Sequence, residues 1–184
     1  MDAYLVARLT GGKEFATDHT NASRTLLYDV RKLEWDASLC ELFGVPAQAL
    51  PAIRDCAGDY GQTDLGGALP AAAPICGVMG DSQASLFAQR CFAKGSGKAT
   101  FGTGTSVLIN VGDSAGIASK GAVLAVAWVL NGEPTYALEG IINYSSATIA
   151  WLRDQLGLLA DAGESEALAR QVTDNGGVYF VPAF

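Results

Sequence analysis

The sequence predicts an α/β fold, and three observations carry that reading. An apolar stretch from Ile75 to Met79 is broken at Gly80-Asp81-Ser82, and Ala84, Leu86, Phe87 and Cys91 then recur at helical spacing. Between Ala99 and Ile142 lie β-rich runs separated by Gly, Asp and Asn turns. After them, helical patterns return over residues 145–156 and 164–172.

In chain order, Leu5, Leu9 and their neighbours read as the end of a helix that begins outside this sequence. At Trp35 to Gly44 an Asp cap, Asp36, precedes apolar residues at helical spacing and a glycine follows, which predicts a short helix with its apolar stripe in the core. Pro46 to Pro51 and Gly58 to Pro74 form a turn-rich stretch. Ile75–Met79 is expected as a buried strand, with Cys76 as a small buried hydrophobe, and Asp81 then stands where strand passes into helix 82–92. Lys94-Gly95-Ser96-Gly97-Lys98 reads as a flexible connector and a domain boundary, dividing 1–93 from 94–184. Beyond it, Ala99–Phe101, Ser106–Val111, Val123–Leu130 and Thr135–Ile142 predict a hairpin-rich sheet with a turn at Asn131-Gly132. Helix 145–156 is expected to bury Ile149, Trp151, Leu152 and Leu156. Val178 to Phe184 reads as an apolar strand that stops without a closing element.

Composition narrows the partners. At 49% hydrophobic and 17% charged, the chain has the material for a globular core. A formal charge of −7 removes the long-range attraction that binding nucleic acid or an anionic membrane surface needs, so a small-molecule partner is expected. Phosphates remain compatible with that charge, because backbone N–H groups and a divalent cation can hold them. Cys40, Cys56, Cys76 and Cys91 form no CxxC pair and there is one His, so no zinc site is expected and the thiols read as reduced, in the cytoplasm. The N-terminus has no basic region ahead of its apolar stretch and does not read as a signal peptide. The longest apolar run, Gly121 to Leu130, is far short of the ~20 residues that span a bilayer.

Three constellations could carry chemistry. Asp81, in Gly80-Asp81-Ser82-Gln83, could accept a proton from a substrate hydroxyl; taken alone, an Asp between Gly and Ser reads first as a helix N-cap. Thr100-Phe101-Gly102-Thr103-Gly104-Thr105-Ser106 could form an anion-binding concavity in which glycines allow close approach and free N–H groups alternate with hydroxyls, yet a Gly-Thr-Gly turn is more often a tight hairpin. Glu139, in Tyr136-Ala137-Leu138-Glu139-Gly140, is either a metal or ligand contact or, more commonly, a solvated sheet end, with Gly140 allowing close helix–strand packing. His19 lacks an obvious acid–base partner nearby and reads as structural.

Taken together and in order, TDHTNASRTLLYDV, LEWD, YGQT, GDSQASLFAQ, FGTGTSVLIN, YALEG with AWLRD, and GGVYFVPAF resemble successive blocks of the FGGY carbohydrate kinases, and within that family the glycerol kinases. The blocks run across nearly all of the chain. The resemblance implies an actin-like ATPase architecture of two ribonuclease-H-like domains, with 1–93 the end of the N-terminal FGGY domain and 94–184 the start of the C-terminal one. It further implies ATP and Mg2+ as cofactors, a polyol or sugar substrate, glycerol phosphorylated to glycerol 3-phosphate, and Asp81 as the general base.

On the same mapping, Gly102, Thr103 and Gly104 contact the nucleotide phosphates, Ser146 and Ala150 approach the nucleotide, and Asp81, Ser82 and Ser106 line the substrate pocket. Ser82 stands where the family usually has Gln, Ser106 where an aromatic packs on glycerol, and Ser146 and Ala150 where Gly and Gln are usual. Those changes leave a pentulose or larger polyol as an alternative substrate. The basic loop of allosterically regulated members is Ala71-Ala72-Ala73 here, which implies loss of that regulation. The family's N-terminal phosphate loop, Arg-Glu substrate pair and late adenine segment have no counterpart in these residues. The fragment alone is therefore expected to be inactive, a non-catalytic binding module is the rival reading, and open strand edges make association into a homo-oligomer an expectation.

Overall fold

The computed structural model of the chain describes residues 1–116 and 120–182. Its elements are α1 (Asp2–Leu9), β1 (Ala16–Asp18), α2 (His19–Ala22), β2 (Tyr28–Asp29), β3 (Glu34–Trp35), α3 (Ala37–Leu42), a 3-10 turn (Ala47–Ala49), β4 (Ala52–Arg54), β5 (Gln62–Thr63), β6 (Ala73–Pro74), α4 (Asp81–Ala88), β7 (Gly97–Phe101), β8 (Thr105–Gly112), β9 (Val123–Leu130), β10 (Glu133–Ile142), α5 (Ser146–Asp154) and α6 (Glu164–Ala169). They fall into two compact units. The first holds Met1–Lys98 and Leu108–Glu139; the second holds Ala99–Val107 and the described residues from Gly140 on.

In the first unit, Asp caps set where short helices begin. Asp18 accepts from the Thr20 and Asn21 N–H groups at the start of α2, and Asp36 from those of Ser38 and Leu39 at the start of α3, as its position in the sequence predicts. β1 pairs in parallel with β4, Ala16 opposite Ala52. The largest sheet has the order β7-β8-β10-β9. β9 and β10 form an antiparallel hairpin in which Leu130 faces Glu133, so the loop is Asn131-Gly132 alone. Both loop residues have positive φ, 53° and 77°, the backbone of a type I′ turn that matches strand twist.

β9 lies at the end of that order, yet Ala125 to Val129 are buried without interruption. Its outer edge is covered by the segment through Cys56, whose N–H donates to the Val129 carbonyl at 3.0 Å and whose sulfur accepts the Val129 N–H at 3.4 Å. Covering the edge removes the unpaired backbone that would invite another strand. The core around it joins Leu86 and Cys91 to Leu108, Ala127, Trp128 and Ala137, with Phe87 edge-on to Trp128 at 5.4 Å between ring centroids.

The structure corrects several expectations. Ile75–Met79 forms no regular strand: Ile75, Cys76 and Val78 bond to the backbone of Cys56 to Gly61, and Gly77 forms an isolated antiparallel bridge with Ala57. Ile75 and Val78 pack beside Val6, Ala16 and Tyr60, while Cys76 points the other way and is exposed. The helix beginning at Asp81 ends at Ala88, since Arg90 takes the left-handed conformation (φ 59°). The 94–98 stretch is no loose connector. Asn110, 1% exposed, donates to the carbonyls of Cys91 and Phe92 and exchanges backbone bonds with Gly95 and Ser96, and Lys98 is buried in β7. Of the stripe on α3 only Cys40 is buried, with Leu42 and Phe43 exposed. His19 does have partners: Nδ1 lies 2.6 Å from the Tyr28 hydroxyl and Nε2 3.8 Å from Asp55. Burial holds its pKa below the usual value despite the nearby Asp55 and Asp18 carboxylates.

In the second unit, α5 ends at Asp154 and Gly157 turns the chain at φ 62°, leaving Leu156 outside the helix and exposed. No residue of α5 is fully buried, contrary to the expected stripe. α6 stops at Ala169, short of residue 172. Val178 to Pro182 form no strand; Trp151 instead stacks on Phe180 at 5.5 Å, and Ala183 and Phe184 lie outside the described residues. A Cβ on Gly140 would meet nothing within 4 Å, so close packing does not explain that glycine. Among the described residues no helix is long and apolar enough to cross a membrane.

The four cysteines are free, with Cys40, Cys56 and Cys91 buried. Burial, with the Asp18 carboxylate beside it, pushes the Cys56 thiol up to about 12, so its reactive thiolate is scarce at neutral pH. Iodoacetamide at about pH 8 is therefore expected to label Cys76 in the folded chain and to reach Cys56 only after denaturation. Peptide mass mapping reads the order, and equal labelling of Cys56 and Cys76 in the folded chain would contradict this packing.

Candidate active site

Asp81 is the first residue of α4, and the cap position belongs to Gly80. Its carboxylate accepts the N–H of Ser82 at 2.7 Å and is otherwise exposed. The bland reading of Asp81 as the helix N-cap is therefore not what the backbone shows. The side chain stands at the helix start, in a cleft of about 510 Å³ that it shares with Ser82, Gln83, Asn21, Arg24 and Glu139. All of these belong to the first unit.

Glu139 corrects the expectation of a solvated sheet end. It is 6% exposed, and its Oε2 lies 2.5 Å from Nη1 of Arg24, whose side chain is about half exposed. A guanidinium anchored by a buried carboxylate thus borders the cleft that contains Asp81. Sequence reasoning missed Arg24 because its partner is remote in the chain, and i to i+4 patterns report only local pairs. The one available signal was its place within the TDHTNASRT block.

Beneath the cleft runs a second network. Asp18, fully buried, accepts from the Thr20 N–H (2.9 Å) and hydroxyl (2.6 Å), from the Asn21 N–H (3.1 Å) and amide (2.7 Å), and from the Cys56 thiol (3.1 Å). The Thr20 hydroxyl oxygen in turn accepts the N–H of Gly80 at 2.8 Å.

In the second unit, Gly102, Thr103 and Gly104 form the bend between β7 and β8, and Thr103 is exposed. The bend is built around the start of α5. The N–H groups of Ser145 and Ala147 donate to the Thr103 carbonyl and that of Ser146 to the Gly102 carbonyl, at 2.9, 3.2 and 3.2 Å, and the Thr105 hydroxyl donates to Ser145 Oγ at 2.8 Å. Helix N–H groups that would otherwise be orphaned are satisfied this way. The expectation of free N–H groups throughout the bend needs correction, since the Gly102 N–H is spent on the Gly104 carbonyl.

This arrangement brings Gly102, Thr103, Gly104 and Ser146 together, with Ala150 one turn further along the same face of α5. Ser106 lies on β8 in the second unit, and Asp81 and Ser82 in the first. Among the described residues no group of three or more His, Cys, Asp or Glu could hold a metal ion.

The glycines of the bend differ in purpose. A Cβ on Gly104 would fall 2.5 Å from the Ile142 carbonyl and 2.8 Å from that of Asn143, whereas one on Gly102 would meet its nearest neighbour at an ordinary 3.6 Å. Gly104→Ala is expected to destabilise by about 1–3 kcal/mol, as overpacking against backbone does, and Gly102→Ala to be nearly neutral. Denaturant midpoints measure both, and equal effects would show that the bend yields freely.

Two family profiles match the chain: the FGGY family of carbohydrate kinases, N-terminal domain, over residues 1–88, and the C-terminal domain over residues 97–184. Among curated relatives, the glycerol kinase of Xanthomonas campestris pv. campestris is 46% identical over 184 residues and that of Clostridium botulinum 45%; each match covers all of this chain and 37% of the relative. The chain thus spans about 37% of the length of the curated relatives it matches. Among solved structures, Plasmodium falciparum glycerol kinase with ADP superimposes with a TM-score of 0.87 at 34% identity, covering 99% of this chain and 36% of that one. Ligand-bound xylulose kinase from Lactobacillus acidophilus gives 0.78 at 19% identity, covering 93% and 34%, a likeness of fold.

Proposed function

Since the chain belongs to the FGGY family of carbohydrate kinases, with its actin-like ATPase fold, we propose that the whole protein transfers the γ-phosphoryl group of ATP to a hydroxyl of glycerol, giving glycerol 3-phosphate. The observation that carries this is Asp81, an exposed carboxylate fixed at a helix start and opening on a cleft. As the substrate oxygen bonds to phosphorus and the bond to the departing ADP breaks, Asp81 takes the hydroxyl proton. Thr103, exposed between two residues without side chains, presents its hydroxyl to the phosphates, with Ser146 and Ala150 on the adjoining helix toward the nucleotide. Mg2+ fits this set without a dedicated carboxylate cluster, because it is commonly held by one or two carboxylates and the phosphates themselves; when bound it neutralises developing phosphate charge.

Residues 1–93 and 94–184 are assigned to the N- and C-terminal kinase domains, and free cysteines accord with a cytoplasmic protein. Replacing Asp81 by Asn in the full-length protein is expected to lower turnover about a hundredfold or more, with folding retained. A coupled ADP assay measures this, and undiminished turnover removes Asp81 from the base role.

Ser82 and Ser106 support a second reading, a pentulose or larger polyol as substrate, because short hydroxylated side chains leave room and add hydrogen-bonding capacity. A panel of polyols and ketoses discriminates: with the glycerol reading, kcat/KM is highest for glycerol, and a higher value for a ketose shifts the assignment.

A further inference from the structure

The proposed base sits at the exposed end of a helix whose capping residue, Gly80, has no side chain to hold it. What holds it is remote in sequence. Asp18 as a carboxylate can only accept hydrogen bonds, so the single proton of the Thr20 hydroxyl, 2.6 Å away, is committed to it. The Thr20 oxygen is thereby left with lone pairs, and one of them accepts the Gly80 N–H at 2.8 Å. The direction of this chain of bonds cannot reverse, because neither Asp18 nor the Gly80 N–H can exchange roles.

The surroundings are equally constrained. Thr20 and Asp18 are fully buried, and Asp18 is also bonded to Asn21 and Cys56. A Cβ on Gly80 would lie 2.7 Å from Oε1 of the buried Gln83 and 3.4 Å from Thr20 Oγ1, so a side chain at this position would require the Gln83 amide to shift.

Resting on the kinase reading above, we propose that Thr20, oriented by Asp18, is a positioning residue for Asp81: its hydroxyl fixes the Met79–Gly80 peptide, one peptide ahead of the base, and so sets where the carboxylate stands in the cleft. Threonine is required for its oxygen; its methyl group is secondary. Valine keeps the shape and removes the acceptor, leaving the Gly80 N–H without its partner. Serine keeps the acceptor.

The test compares wild type, Thr20→Val and Thr20→Ser in the full-length protein by steady-state kinetics with glycerol and ATP, thermal midpoint, and hydrogen exchange resolved at residues 80–82. Thr20→Val is expected to lower kcat about ten- to hundredfold per folded molecule, with KM for ATP unchanged and exchange at 80–82 accelerated, and Thr20→Ser to restore both. A purely structural role would lower the midpoint and the folded fraction while leaving kcat per folded molecule intact, which would overturn the proposal. Should Thr20→Val not fold, exchange in the wild type decides: the Gly80 amide is expected to be protected, and exchange at the unstructured rate overturns the bond. If wild type phosphorylates no polyol or sugar, the kinase reading fails, while the exchange data still report whether Thr20 holds Gly80.

Discussion

A buried carboxylate organises the first unit. Taking Asp18 out of water carries a large desolvation cost, and only a full set of directed donors offsets it. The chain supplies them from α2 itself and from Cys56. Each donor is drawn to a fixed place, and each belongs to a segment with further work to do. Cys56 covers the outer edge of β9, and Thr20 reaches the start of α4. One charge thereby ties a cap, a strand edge and a helix start.

Around the proposed base, rigidity and exposure are divided between backbone and side chain. The Met79–Gly80 peptide, one ahead of Asp81, is pinned, the helix after it is rooted by Leu86 in the core, and the carboxylate itself stays in contact with solvent. In the same cleft, Glu139 is buried and Arg24 half exposed, so the pair keeps a cation there without leaving a lone charge in the core. A general base benefits from such a frame, because proton transfer rewards placement as much as basicity.

The second unit uses backbone where the first uses side chains. The carbonyls of the Gly102–Gly104 bend accept the first N–H groups of α5, and glycine at 104 lets the backbone around 142–143 come close. The same absence of side chains leaves Thr103 exposed at the tip.

Elements whose cause is local were legible in the sequence: Asp36 starting α3, Asn131-Gly132 closing the β9–β10 hairpin, the bounds of β9, and the bend at Gly102-Thr103-Gly104. Caps and two-residue turns depend on residues within a few positions of each other, so their chemistry is written contiguously. The ordered motifs likewise pointed to the FGGY family from the sequence alone. What tertiary structure decided were matters of distance and facing. Cys76 turned outward, Glu139 turned inward to meet Arg24, the stretch at 94–98 was pinned by Asn110, and Asp18 became the hub behind Asp81. Each depends on which remote group satisfies a buried polar atom or covers an apolar one, and the spacing of residues along a chain does not encode that choice.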